Sequence, residues 1–144
     1  MNMIYSPKIR NACIICFNAH KNDYDKAGYP YVFHPFFLAN QMDDENSIIV
    51  ALLHDVIGDH GDVFDLDFLI KKGMGEKICY AIDLLTHKKG VPYMEYIKQI
   101  KDNPIARKVK IADLKHNSDI QRLNGHFPPK YELYQEALEY LESD

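Results

Sequence analysis

The stretch Asn46–Asp59, NSIIVALLHDVIGD, decides how the rest of the chain is read. Ile48, Ile49, Val50, Ala51, Leu52 and Leu53 come before His54-Asp55, and Val56 and Ile57 follow. A helix that is apolar on every side belongs in a core, so the stretch predicts a buried central helix. Its middle carries an imidazole and a carboxylate side by side. A buried carboxylate without a partner is costly, so Asp55 demands a cation or a full set of donors. Two arrangements meet that demand. In one, His54 bonds a backbone carbonyl and Asp55 pairs with a lysine. In the other, the pair shares a metal ion with further His and Asp residues.

Working outward, each neighbouring segment also predicts helix. Ser6-Pro7 is an N-cap followed by a first-turn proline, so a helix is expected from about Lys8 to His20. Residues 21–33, KNDYDKAGYPYVF, read as a loop punctuated by Gly28 and Pro30. His34-Pro35 opens a second apolar helix, FFLANQM. The polar break at residues 43–47 offers Asn46 and Ser47 as N-caps of the central helix. Gly58 and Gly61 should end that helix.

Asp65 caps LDFLIKK, which Gly73 closes. Further helices are expected over Gly75–Leu85 and Tyr93–Lys101. Asn103-Pro104 opens another, which carries KVKIADLKHN. A last amphipathic helix spans Tyr131–Leu141. No stretch alternates in the β manner, so the expected fold is all-α, a single domain over residues 1–144 with about seven to eight helices.

Composition narrows the function. The 144 residues are 47% hydrophobic and 26% charged, as in an ordinary globular protein with a real core. A net charge of -4 argues against a nucleic-acid polymer as partner. The apolar run Ile48–Leu53 is far too short to span a bilayer, and the first residues have no signal-peptide core. A cytoplasmic protein is expected. Cys13, Cys16 and Cys79 do not make a disulfide framework, and Cys13-x-x-Cys16 lies within an apolar helical pattern, so buried structural thiols are expected.

Four positions could share one metal: His34, His54, Asp55 and Asp113. Asp113 repeats the problem of Asp55, because Val109, Ile111, Ala112 and Leu114 surround it. Asn117 lies one turn beyond Asp113 on the same face, with His116 near it. A mixed imidazole and carboxylate set suits Mn²⁺, Fe²⁺ or Zn²⁺. Two His and two Asp leave coordination positions open for water or a phosphate oxygen. Lys110, Lys115 and Arg122 flank Asp113. Each is either a phosphate contact or a solvated helix-surface cation.

The order H…HD…D, with the strings DKAGYPYVFHP, VALLHDVIGD and VKIADLKHNSDIQRL, resembles the HD-domain phosphohydrolases, and within them the hydrolase domain of RelA/SpoT proteins and small stand-alone enzymes of that type. The resemblance runs from about Ala19 to Leu123. It implies an all-α bundle and a metal, usually Mn²⁺, on His34, His54, Asp55 and Asp113. It also implies hydrolysis of the 3′-pyrophosphate of guanosine tetra- and pentaphosphate or of a related nucleotide. By the same resemblance Asp59 is the second acid of an HDxxED string, and the first acid is the one placed to help activate the attacking water; here Asp59 is expected to orient or deprotonate that water. Lys26 belongs to the substrate loop, and Asn117 sits near the nucleotide and water.

The chain departs from that pattern at Gly58, which stands where the first acid of the string is a glutamate. It also has Asp25 and Ala27 where RelA/SpoT proteins have arginine and serine. Gly58 predicts a slow or silent hydrolase with an intact metal site. It leaves open a second reading, a degenerate domain that binds a nucleotide as a sensor without turning it over.

Overall fold

A computed structural model describes residues 4–144 of the protein. Among those residues it is all-helical, with nine helices and one isolated bridge, between Tyr24 and Pro30. The helices are α1 (Pro7–His20), α2 (Phe33–Asn40), α3 (Glu45–Leu53), α4 (Val56–His60), α5 (Leu66–Lys71), α6 (Glu76–Leu85), α7 (Tyr93–Lys101), α8 (Pro104–Asn117) and α9 (Tyr131–Glu142). Among the described residues no helix is long and apolar enough to cross a membrane.

The centre is α3, where every residue from Ser47 to Leu53 is buried. It packs against α1, α2, α6 and α8, while α8 also meets α7 and α9. Burying each large aliphatic side chain of α3 stabilises the fold by about 1.5–3 kcal/mol. The central stretch therefore anchors the core, as its composition implies. The N-caps are short polar side chains: Ser6 accepts from the Ile9 amide at 3.1 Å, Asp65 from Phe68 at 2.8 Å and Asn103 from Ala106 at 2.9 Å. Each such cap is worth about 1 kcal/mol.

Two expectations are corrected here. The cap of α3 is Asp44, whose carboxylate accepts from the Ser47 amide at 2.8 Å. Asn46 and Ser47 instead lie inside the first turn. And the central stretch is not one helix: it breaks at His54-Asp55, and the split adds one to the number of helices among the described residues.

The cause of the break is local. The His54 ring donates from Nδ1 to the Ala51 carbonyl at 2.7 Å. That carbonyl is the acceptor the Asp55 amide would use in a continuous helix. Asp55 then adopts φ -107°, ψ 0°, and the chain resumes as α4 at Val56. The helix passes through Gly58 and ends beyond His60.

Candidate functional site

The break in the central stretch places His54 and Asp55 opposite two other elements. His34 comes from α2 and Asp113 from α8, and ligand-capable atoms of all four lie within 4.8 Å of one another. His34, His54 and Asp113 are buried, and Asp55 is partly buried. The four positions singled out in the sequence are thus brought together by three different parts of the fold.

The cluster has the electrostatics of a cation site. His54 Nδ1 carries its proton toward Ala51, so Nε2 presents a lone pair. That atom lies 3.1 Å from Asp55 Oδ2 and 3.4 Å from Asp113 Oδ1, yet it is buried with no hydrogen-bond partner. Burial opposes a charged imidazole here, but the carboxylates outweigh it and hold His54 well above the usual histidine range. Burial also opposes charge on Asp113; the neighbouring Lys110 and the imidazoles of His34 and His54 outweigh it and pull the carboxyl well below its usual range. A lone pair and two ionised carboxylates that converge on one point call for a cation or a proton. The residues present therefore fit a divalent ion. The two arrangements weighed for His54-Asp55 both leave traces. His54 does bond a backbone carbonyl, and a lysine does pair with a carboxylate, but with Asp113.

A second layer of side chains aims the first. Tyr31 donates its hydroxyl to Asp55 Oδ2. Lys110 donates to Asp113 Oδ2 at 2.9 Å, and the Asn117 amide donates to Asp113 Oδ1 at 3.0 Å. His34 Nε2 lies 2.8 Å from Asp113 Oδ1, and its Nδ1 lies 2.7 Å from Nδ1 of His116. Burial first, then His34 and Arg122, push His116 down to about 4. A neutral His116 can accept from His34 Nδ1–H, which frees His34 Nε2 for the centre. His116 is in turn stacked on Phe37, with centroids 4.2 Å apart.

Two cavities meet at the cluster. An outer one of about 380 Å³ is lined by Tyr24, Lys26, Tyr31, Arg122 and Pro128 among others, and an inner one of about 250 Å³ by Thr86, Tyr93, Tyr96 and Lys110 among others. Asp55, Asp59, Asn117 and Tyr134 line both. Asp59 is exposed there, one helical turn beyond Asp55, whose carbonyl accepts its amide at 2.9 Å. Desolvation in the cleft, and then the charge of Asp55, push the Asp59 carboxyl up to about 6. Gly58 is also on the inner cavity wall, and a Cβ built there would meet nothing within 4 Å. The space for a longer side chain is open.

Asp25 has a structural use in this chain. Its Oδ1 accepts from the amides of Ala27 and Tyr29, each at 2.9 Å, and its Oδ2 lies 3.7 Å from the Arg122 guanidinium. Gly28, at φ +87°, completes the turn. Lys26 is exposed on this loop and makes no ion pair among the described residues. Of the three cations flanking Asp113, Lys115 pairs with Glu142 at the surface, whereas Lys110 and Arg122 reach the cavities.

Sequence reasoning passed over Tyr93, Tyr96 and Tyr134, because aromatic residues on amphipathic helices read as core. Tyr31 could have been found as the hydroxyl one turn before His34. A second group, His20, Asp23 and His60, is joined through Asp23 and leaves His20 Nε2 buried with no hydrogen-bond partner. Asp23 Oδ2 accepts from both imidazoles, at 3.0 and 2.6 Å, and none of the three lines either cavity. His60 therefore does not take the place of the acid missing at Gly58.

Comparison with known proteins agrees with this architecture. No family model matches the chain. A curated protein of Mycobacterium leprae, a probable GTP pyrophosphokinase, is 25% identical over 147 residues, which takes in 93% of this chain but only 18% of that protein. The chain thus spans less than a fifth of the length of the curated relative it matches. Among solved structures, a metazoan ortholog of SpoT, described as hydrolysing ppGpp, superposes with a TM-score of 0.75. The two are 19% identical, and the match covers 99% of this chain and 89% of the other. The resemblance read from the three strings is borne out in the fold.

Proposed function

We propose that the chain is a metal-dependent phosphohydrolase of the HD type, acting in the cytoplasm on a pyrophosphorylated nucleotide of the guanosine 3′,5′-bispyrophosphate kind. We read residues 1–144 as one domain carrying that activity. The observation that carries the reading is the unpartnered Nε2 of His54, buried between two carboxylates beside the inner cavity. The fold likeness to a ppGpp-hydrolysing protein agrees with it.

In this reading His34, His54, Asp55 and Asp113 hold the ion, Mn²⁺ first, with Fe²⁺ or Zn²⁺ also suited to the donors. A bound ion would polarise a phosphoryl oxygen and acidify a water. Asp59 accepts a proton from the attacking water, for which a carboxyl near 6 is well placed. Attack at the 3′-linked phosphorus breaks its bond to the sugar oxygen, which takes up a proton to become the 3′-hydroxyl, and pyrophosphate departs carrying the water oxygen. Lys26 and Arg122 receive the remaining phosphates in the outer cavity, and Asn117 fixes the nucleotide or the water.

Gly58 favours a second reading, a sensor that binds without turnover. Both readings predict that a pyrophosphorylated nucleotide binds better than its nucleoside. Lys26→Ala should reduce that preference about ten-fold or more, as loss of one charge-assisted contact implies. Equal affinity for nucleoside and polyphosphate, titrated calorimetrically at low salt, would remove phosphate recognition from the account. Pyrophosphate release separates the enzyme from the sensor.

A further inference from the structure

We propose that the inner cavity is a phosphate subsite, in which Lys110 and the Tyr93 hydroxyl hold the pyrophosphoryl group being cleaved, facing a cation on the His/Asp cluster. The proposal rests on the phosphohydrolase reading and names the place of the group transferred to water.

The cavity, about 250 Å³, is lined by His54, Asp55 and Asp113 of the cluster and by Thr86, Tyr93, Tyr96 and Lys110. Lys110 brings an ammonium to that lining, with Nζ 5.3 Å from the Tyr96 ring centroid and 6.0 Å from that of Tyr93. Among the described residues its one carboxylate partner is Asp113. An ammonium has three protons to donate, so it can bridge Asp113 to an incoming oxygen.

The second observation is Tyr93 itself. Its hydroxyl is buried and has no hydrogen-bond partner. Native folds rarely leave such a donor unmade. A phosphate oxygen in the cavity supplies the missing acceptor, and a phenol with a single donor suits an anion better than a neutral base edge. The tyrosine thus trades some fold stability for a ligand contact.

The charges that face the cavity set a condition. Asp55, Asp59 and Asp113 share its wall with Lys110. Without a cation they repel an anion; with a divalent ion on the cluster the balance is reversed. The subsite is therefore expected to bind inorganic pyrophosphate in the metal-loaded protein and far more weakly in the metal-free one.

Tyr93→Phe tests this with little risk to the fold, since it deletes one oxygen that bonds nothing. Inorganic pyrophosphate is titrated into wild type and variant, each carrying one equivalent of Mn²⁺ with free ion removed. The variant should bind about ten-fold or more weakly, keep its metal content, and melt at a higher temperature without ligand. Lys110→Met should weaken binding at least as much.

Unchanged pyrophosphate affinity in Tyr93→Phe overturns the subsite. So does failure of the metal-loaded wild type to bind pyrophosphate, or a loss that follows Lys26→Ala and not Tyr93→Phe. If nucleotide is hydrolysed but Tyr93→Phe binds pyrophosphate normally, the subsite falls and the hydrolase stands. If no nucleotide is hydrolysed but the variant still loses pyrophosphate, the subsite stands and the hydrolase falls.

Discussion

At the scale of single residues, the proposed function assigns rate to Gly58 and the metal to the His/Asp cluster. Gly58 lies one residue before Asp59 on the inner cavity wall, and added atoms there meet open space. A glutamate at this point would reach toward the attacking water from the side of His54. One positioned acid–base group is worth ~10²–10⁴ in rate. Gly58→Glu is expected to raise turnover at least ten-fold with little change in metal content, measured by pyrophosphate release beside elemental analysis. A neutral or harmful substitution would mean that water activation here does not need the missing acid. The cluster itself was legible, because a charged pair inside an apolar run has few physical explanations. The partners of that cluster were less so. Tyr31 and His116 act through distances that no spacing rule fixes, since 24 residues separate Tyr31 from Asp55 and 82 separate His34 from His116; Lys110, three residues before Asp113 on one helix, follows from spacing.

At the scale of elements, the helices follow from caps, prolines and apolar periodicity. The break in the central stretch does not. Propensity favours one helix across residues 46–57, and the deciding event is a side chain taking a backbone acceptor at Ala51. The loop over residues 21–32 is a second case. Its sequence shows a glycine and a proline, but its order comes from Asp25, which accepts from two amides and sits beside Arg122. Asp25→Ala should cost about 1–2 kcal/mol from the lost amide bonds. It should also speed hydrogen exchange at the Ala27 and Tyr29 amides. Unaltered exchange at those two positions would mean that the carboxylate does not hold the loop.

At the scale of the whole molecule, the bundle serves to bring α2, the α3–α4 break and α8 to one point. The all-α class was readable because no segment carried a strand pattern, and the helix order follows the sequence. The cavities were not readable, because their walls come from residues that also look like core. The central claim is that the cluster holds a divalent ion and that the site hydrolyses a pyrophosphorylated nucleotide. The most direct measurement is pyrophosphate release from guanosine 3′,5′-bispyrophosphate by wild type and Asp113→Ala, with and without Mn²⁺, alongside bound-metal content. The account predicts slow release by wild type that requires the ion, near-stoichiometric metal, and loss of both in Asp113→Ala with the helical circular-dichroism signal largely retained. A wild-type protein that retains no Mn²⁺, Fe²⁺ or Zn²⁺, or that releases pyrophosphate equally well after Asp113→Ala, would contradict it.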